Sequence, residues 1–173
     1  MLTILRQIAK TGIKTEAVPP PAEPPEGIAR LQADILQTLG RALAIRHVDA
    51  GSCNACELEI HALGNPYYNI EGLGIRFVAS PRHADLLLVT GPVSKHMAVA
   101  LRRTYDATPD PKLVVAVGDC GCTGGIFGES YATFGRVANV VPVDVEIPGC
   151  PPTPTALLQG ILAAITSAAP AGA

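Results

Sequence analysis

The sequence has little charge and no concentration of charge of one sign. Charged residues make up 16% of its 173 residues, the formal net charge is −2, and no tract is rich in lysine or arginine. Because nucleic-acid-binding proteins contact phosphates with clustered basic side chains, we expect no nucleic-acid partner. The mean hydropathy of +0.30 is rather apolar, so we expect partner subunits or a membrane to cover part of the surface.

Long apolar runs are also missing. No segment offers the roughly 18 consecutive apolar residues that a membrane-spanning helix needs. We see no apolar stretch of about 7–15 residues followed by a small-residue cleavage site near the N-terminus, so we expect no secretory signal. The five cysteines are an odd number, whereas small secreted disulfide-rich proteins usually have an even one. These features predict a reducing, cytoplasmic environment in which thiols are free to bind metal.

The patterns of nucleotide-binding and hydrolytic sites are missing as well. The run Gly-Gly-Ile-Phe-Gly at 124–128 is rich in glycine. It lacks the Lys-Ser/Thr of a P-loop and the spacing of a dinucleotide fingerprint. No serine, histidine and aspartate group stands out as a nucleophilic site. We therefore interpret 124–128 as a tight turn that supports Cys120.

Four of the five cysteines lie in polar or glycine- and proline-rich turns that are far apart in the sequence. Cys53 and Cys56 form a C-x2-C pair, Cys120 follows Gly-Asp, and Cys150 lies between Pro-Gly and Pro-Pro-Thr-Pro. Glycine lets the backbone approach inorganic sulfide closely, and proline stiffens a loop. Four thiolates on three loops can converge on one metal centre, and a [4Fe–4S] cubane takes one thiolate for each iron.

Apolar strand segments alternate with helical segments along most of the chain. The expected strands are 45–48, 75–79, 86–90, 113–117 and 141–147. The expected helices are 27–44, 55–63, 94–106 with Ser94 as its cap, and 153–166 with Thr153 as its cap. This alternation predicts a flavodoxin-like α/β fold, in which a parallel sheet is covered by helices on both faces.

The expected strands place the cysteine turns at one edge of the sheet. Cys53, Cys120 and Cys150 each follow a strand, at its carboxyl end. Open α/β sheets bind ligands in the crevice outside those ends, so we expect the three loops to surround one cluster there. Cys56 begins a helix, whose N-terminal amides and partial positive charge favour a thiolate.

The sequence divides into three expected parts. These are an N-terminal amphipathic segment with a proline-rich linker (1–26), an α/β iron–sulfur domain (27–168) and a disordered tail (169–173). The first 13 residues place Leu2, Leu5 and Ile8 at helical spacing beside basic residues, which leaves two alternatives: a helix on a membrane surface or partner, or a frayed terminus. Residues 18–25 contain five prolines, typical of a semi-rigid linker.

Several motifs in order resemble a known family. They lie at 49–60 (Asp-x-Gly-Ser-Cys-Asn-Ala-Cys-Glu-Leu-Glu-Ile), 80–85, 90–93, 118–120 with 124–127, and 141–154. Over about residues 45–165 the chain resembles the small, cluster-carrying subunit shared by membrane-bound [NiFe] hydrogenases and respiratory complex I, the NADH-quinone oxidoreductase. Ala55 stands where the complex I proteins have a second adjacent cysteine. The split pair resembles the energy-converting branch, with the formate hydrogenlyase and hydrogenase-4 small subunits.

The resemblance implies a site, partners and a location. Cys53, Cys56, Cys120 and Cys150 would hold one [4Fe–4S] cluster beside the nickel–iron site of a large subunit. Further partners would be a ferredoxin-like iron–sulfur subunit and membrane subunits, at the cytoplasmic face of the inner membrane. The chain would transfer electrons within a multisubunit oxidoreductase and would not be catalytic alone. Cys122 has no counterpart among the ligands and is interpreted as a small buried thiol, with exchange for Cys120 as the minority alternative.

Two charged side chains are candidates for a role near the cluster. Glu59 matches a family glutamate that could tune the reduction potential or relay a proton, and its alternative role is to complement the helix dipole. Glu57 has the weaker claim of the two. Arg82 could offset the negative charge of a thiolate-bound cluster, and its alternative role is an ion pair with Asp85.

Two other functions remain open from the sequence. The chain could serve a complex I-like NADH-quinone oxidoreductase that passes electrons to quinone, although the split cysteine pair argues against this. It could instead be a noncatalytic scaffold with a structural zinc site, because zinc also accepts four cysteines. Structural zinc sites usually pair two short CxxC units, which the lone Cys120 and Cys150 fit poorly.

Overall fold

Five parallel strands form one sheet in the computed structural model, which describes residues 2–12 and 42–168. The strands are β1 (Leu43–Asp49), β2 (Ile75–Phe77), β3 (Leu86–Thr90), β4 (Leu113–Val117) and β5 (Val145–Ile147). Their order is β2-β1-β3-β4-β5, the flavodoxin-like order. The apolar β3 lies at the centre and is buried along its whole length, because helices cover both faces of the sheet.

The described helices follow from local sequence signals. They are α1 (Leu2–Thr11), α2 (Ala55–Ala62), α3 (Lys95–Ala107), α4 (Gly118–Thr123) and α5 (Pro154–Ala168). The predicted cap of α3 is confirmed, since the Ser94 hydroxyl accepts a hydrogen bond from Met97 N at 3.2 Å. The Thr153 hydroxyl likewise accepts one from Ala156 N at 3.3 Å. Within the described ranges, no helix combines the length and apolarity needed to span a bilayer.

Alternate side chains of the strands enter two separate core layers. The first layer packs against α2 and α5 and includes Leu43, Ile45, Leu86, Leu88, Val115, Ile60, Leu157 and Ile161. The second packs against α3 and α4 and includes Leu87, Val89, Val114, Ala116, Leu101 and Cys122. The prediction of an α/β fold with helices on both faces is therefore confirmed.

Three predicted boundaries are wrong. The helix predicted over 27–44 lies mostly outside the described residues, and its end belongs to β1, because Leu43 pairs with Ile75 in the sheet. The strand predicted over 75–79 ends at Phe77. The last strand begins at Val145, not at 141, since Pro142 has no N–H for a sheet ladder.

The N-terminal segment is helical over Leu2–Thr11, as its spacing predicts. What that helix contacts stays a prediction. The proline-rich linker at 18–25 and the tail at 169–173 lie outside the described residues.

Candidate metal centre

Four cysteines line one cavity at the carboxyl ends of the strands. They are Cys53, Cys56, Cys120 and Cys150, and the cavity has an empty volume of about 290 Å³ that includes its open mouth. Cys56 and Cys120 are half-buried, whereas Cys53 and Cys150 are exposed. The structure thus brings the four predicted site cysteines together, and their role as cluster ligands stays a prediction.

The four cysteines surround a space and do not meet at a point. Within residues 2–12 and 42–168, no three His, Cys, Asp or Glu side chains form a group close enough to hold a metal ion. A [4Fe–4S] cluster distributes its irons over separate corners, and each iron takes one thiolate. Four thiols around a shared cavity fit that donor set.

Asp49 and Ser52 fix the loop that carries the first two cysteines. The Asp49 carboxylate accepts hydrogen bonds from the backbone N–H groups of Gly51 and Ser52, each at 2.8 Å. The Ser52 hydroxyl accepts one from Asn54 N at 3.0 Å. Asn54 has a left-handed backbone with φ of 74° and precedes the first residue of α2, a conformation that asparagine tolerates better than most residues. These contacts turn the chain so that Cys53 and Cys56 face the same cavity.

Glu57, next to Cys56, is the buried carboxylate of this site. It is only 6% exposed, and its Oε2 accepts a hydrogen bond from the Ser52 hydroxyl at 2.5 Å. Its Oε1 has no hydrogen-bond partner among the described residues, but it lies 3.7 Å from His47 Nε2. That nitrogen is 3.1 Å from the Thr90 hydroxyl. Burial lowers the pKa of His47, and the neighbouring Glu57 partly offsets this effect.

Sequence reasoning ranked the two glutamates in the opposite order from their burial. Glu59 is half-buried and is not among the residues that line the cavity. Glu57 anchors Ser52, and through it the loop between the two cysteines. The spacing of Ser52 and Glu57 across the start of a helix was the available signal, because a serine there often bonds a glutamate in the first turn.

Asp119 joins the loops of the third and fourth cysteines. Its backbone N–H donates to Gly149 O at 2.9 Å, and its Oδ1 accepts from Gly149 N at 2.8 Å. Asp119 precedes Cys120 and Gly149 precedes Cys150, so the pair of bonds sets the separation of the two thiols. Nothing in the local sequence marks this contact, because its partners are 30 residues apart.

Two glycines bring the backbone against the sulfurs. A Cβ added at Gly118 would lie 2.7 Å from Cys56 Sγ, and one at Gly125 would lie 2.8 Å from Cys120 Sγ. Both glycines have positive φ, which side chains rarely adopt. The turn predicted at 124–128 is confirmed, since Gly124 N donates to Cys120 O and Gly125 N donates to Asp119 O.

Burial and crowding favour the protonated thiols. Burial raises the pKa of Cys56 to about 12, and Glu57, Cys53, Cys120 and Cys150 contribute to the rise. Burial also raises the pKa of Cys120, with Cys150, Cys53 and Asp119 adding to it. Binding of iron as thiolate ligands must therefore release protons.

We expect the cluster-free chain to lose stability above about pH 9. From that pH the thiols of the unfolded chain lose protons, whereas the folded chain holds the proton of Cys56 until about pH 12. The folded state then binds more protons than the unfolded state, so stability falls as the pH rises. Urea unfolding between pH 8 and about pH 11 would measure this. Cys56→Ala should flatten the slope, and a wild-type curve that is level or rises over this interval would contradict the expectation.

We expect Asp119→Ala to loosen the cluster and Asp119→Asn to preserve most of it. The alanine variant loses the acceptor for Gly149 N, at a cost of about 1–3 kcal/mol for a charge-assisted bond. The asparagine variant keeps an oxygen acceptor without the charge. The measurement is the rate at which a chelator removes iron from each variant. Equal rates for the alanine variant and the wild type would show that the Asp119–Gly149 bond does not hold these loops.

The remaining predicted site residues lie outside the cavity. Cys122 is buried at 4% exposure, and its Sγ lies 3.6 Å from Ala116 O, which confirms its interpretation as a buried thiol. Arg82 is exposed on the short 3-10 turn Pro81–His83 that leads into the amino end of β3. Asp85, its suggested partner, accepts a hydrogen bond from Ala44 N. A role for Arg82 or Glu59 toward a cluster stays a prediction.

Comparisons with known proteins give the chain clear relatives. It is 45% identical over 148 residues to formate hydrogenlyase subunit 7 of Escherichia coli (strain K12), an alignment that covers 86% of this chain and 58% of that protein. It is also 45% identical over 133 residues to the probable membrane-bound hydrogenase subunit mbhJ of Pyrococcus furiosus, covering 77% and 80% of the two chains. The chain thus spans less than two thirds of the length of the E. coli relative.

The fold and the family agree with these relatives. A chain in the solved structure of the membrane-bound sulfane sulfur reductase, an archaeal respiratory membrane complex, is 33% identical with a TM-score of 0.65, covering 77% of this chain and 76% of that chain. Residues 53–164 match the family described as NADH ubiquinone oxidoreductase, 20 Kd subunit. That range includes all four cavity-lining cysteines and more than half of the sequence. The chain belongs to the family of the 20 kDa subunit of NADH ubiquinone oxidoreductase.

Proposed function

We propose that the chain is the electron-transfer subunit of a membrane-associated [NiFe] hydrogenase. In this proposal Cys53, Cys56, Cys120 and Cys150 hold one [4Fe–4S] cluster beside the nickel–iron site of a large partner subunit. A ferredoxin-like iron–sulfur subunit and membrane subunits complete the complex, at the cytoplasmic face of the inner membrane. The chain carries electrons and does not react with hydrogen itself.

The observation that carries the proposal is the convergence of four cysteines from three loops on one cavity. When bound, a [4Fe–4S] cluster supplies a one-electron donor and acceptor. The residues of the chain position it: Asp49 and Glu57 fix the first loop, and Asp119 joins the other two. Glycine backbone beside the sulfurs and partial burial are the features that tune a cluster potential.

Apolar side chains close to the cysteines in the sequence support a large partner at this end of the sheet. Leu58, two residues after Cys56, is 61% exposed, and Ile126 and Phe127, which follow the Cys120 turn, are 94% and 54% exposed. Exposed large apolar residues in one region are typical of subunit contacts. A partner there would also shield Cys53 and Cys150, the two exposed cysteines.

The hydrogenase branch is favoured by the relatives and by the first cysteine pair. The E. coli and P. furiosus relatives both carry hydrogenase or hydrogenlyase names. In the first loop Ala55 separates Asn54 from Cys56, so this chain lacks the adjacent cysteines that we associate with complex I. The matching family nevertheless takes its description from NADH ubiquinone oxidoreductase. An NADH-quinone oxidoreductase-like complex is therefore the second candidate.

Purification of the intact complex, with metal and sulfide analysis of each subunit, tests the proposal. We expect about four irons and four acid-labile sulfides on this chain, and a paramagnetic signal on one-electron reduction. We also expect nickel on the large partner, which separates the hydrogenase from the quinone reductase. Zinc bound to the four cysteines in place of iron and sulfide would overturn the proposal. Iron and sulfide without nickel in the complex would favour the second candidate.

A further inference from the structure

Helix α1 presents an exposed apolar face. None of its residues is buried, and Leu2, Ile4, Leu5 and Ile8 are between 60% and 85% exposed. Four large apolar side chains within ten residues are far more than isolated surface positions account for. This face calls for an apolar surface to cover it.

The side chains of α1 divide cleanly around the helix axis. At about 100° per residue, the four large apolar side chains and Ala9 fall within an arc of roughly 160°. Thr3, Arg6, Gln7, Lys10 and Thr11 occupy the opposite side. Arg6 and Lys10 are one turn apart, so their charges lie together beside the apolar arc, where long basic side chains can reach lipid headgroups.

The charge of this segment is opposite to that of the rest of the chain. The first 15 residues contain Arg6, Lys10 and Lys14 and no acidic residue, whereas the whole chain has a net charge of −2. Anionic lipid headgroups attract such a basic segment, with a gain of about 1 kcal/mol for each basic side chain near the surface. Packing against a protein subunit would need the apolar face but gives no reason for charge of one sign.

We propose that α1 lies in the interfacial layer of an anionic membrane. Leu2, Ile4, Leu5 and Ile8 enter the acyl region, and Arg6 and Lys10 contact the headgroups. A single ten-residue helix binds weakly, but it adds to the other contacts of an assembled complex through high effective concentration. The helix does not reach the cysteine cavity in this proposal, so the inference is independent of the proposed electron transfer.

Sedimentation of the full chain with lipid vesicles tests the inference. One vesicle type contains phosphatidylcholine alone and the other contains added phosphatidylglycerol. We expect binding to the anionic vesicles, weakened by high salt. Arg6→Gln with Lys10→Gln should reduce the partition coefficient about 25-fold, from about fivefold per basic residue. Leu5→Ser with Ile8→Ser should reduce it at least about tenfold, whereas Val99→Ser, at an exposed apolar position of α3, should leave it unchanged.

Two results would overturn the inference. One is equal binding to both vesicle types that the α1 substitutions do not change. The other is no vesicle binding, combined with loss of the Leu5→Ser, Ile8→Ser chain from the purified complex, because α1 would then contact a protein subunit. Circular dichroism of each variant checks that the α/β domain is folded. Since the measurement needs no cluster, failure of α1 binding and failure of the proposed redox function are separate results.

Discussion

Replacing Cys120 with alanine should abolish the cluster, whereas replacing Cys122 with alanine should leave it intact. Both residues belong to the six-residue helix α4, and they are two positions apart. Cys120 lines the cavity with the other three candidate ligands. Cys122 instead belongs to the core layer under α3 and α4. The two variants therefore remove the same atom from opposite sides of one helix.

The measurements are the absorbance near 400 nm, the iron and sulfide content, and the paramagnetic signal of the reduced protein. Cys53→Ala, Cys56→Ala and Cys150→Ala should give the same loss as Cys120→Ala, because each iron of a cubane needs its own thiolate. In the assembled complex each of these four variants should stop electron transfer. Cys122→Ala should lower the stability of the fold by about 1 kcal/mol through a small cavity.

The pair of variants also decides between the two possible ligands on α4. If Cys122→Ala lost the cluster and Cys120→Ala kept it, the ligand assignment would be reversed. That result would require α4 to rotate, because Cys122 is buried beside Ala116 O in the structure. A cluster retained in full by both variants would exclude α4 as a source of any ligand.

The sequence predicts the scaffold well where apolar runs are long and uninterrupted. Leu86–Thr90 and Leu113–Val117 agree with the structure residue for residue, because a continuous run of apolar residues between turns is typical of a buried parallel strand. Leu43 is different. It belongs to β1, although the helical spacing of the preceding residues extends to it, since pairing with Ile75 decides its conformation. That pairing joins segments far apart in the sequence, which local periodicity does not contain.

The candidate site divides in the same way. The cysteines are recognisable because each follows a strand and stands among turn residues. The burial of Glu57 and the bonds of Asp119 to Gly149 depend on how three loops meet in space. Local sequence patterns give only weak information about such contacts. They therefore had to come from the structure, and they supply the most discriminating variants around the cysteines.

Gly118→Ala should destabilise the fold and prevent the cluster from loading. Gly118 has φ of +79°, and an added Cβ would lie 2.7 Å from Cys56 Sγ and 3.3 Å from Gly149 O. Real Cβ atoms essentially never approach a heavy atom as closely as 2.7 Å, so the thiol or the loop must move. The left-handed backbone alone costs an alanine about 1–2 kcal/mol.

Gly74→Ala is the matched control, because it separates backbone strain from crowding at the sulfur. Gly74 has nearly the same φ, +80°, but an added Cβ there would have no neighbour within 4 Å. Urea unfolding of the cluster-free variants should therefore show about 1–2 kcal/mol of destabilisation for Gly74→Ala and more for Gly118→Ala. Reconstitution with iron and sulfide should load Gly74→Ala normally and fail for Gly118→Ala. If Gly118→Ala matched its control in both stability and loading, Cys56 would not be held against this glycine, and the position of its sulfur in the cavity would be wrong.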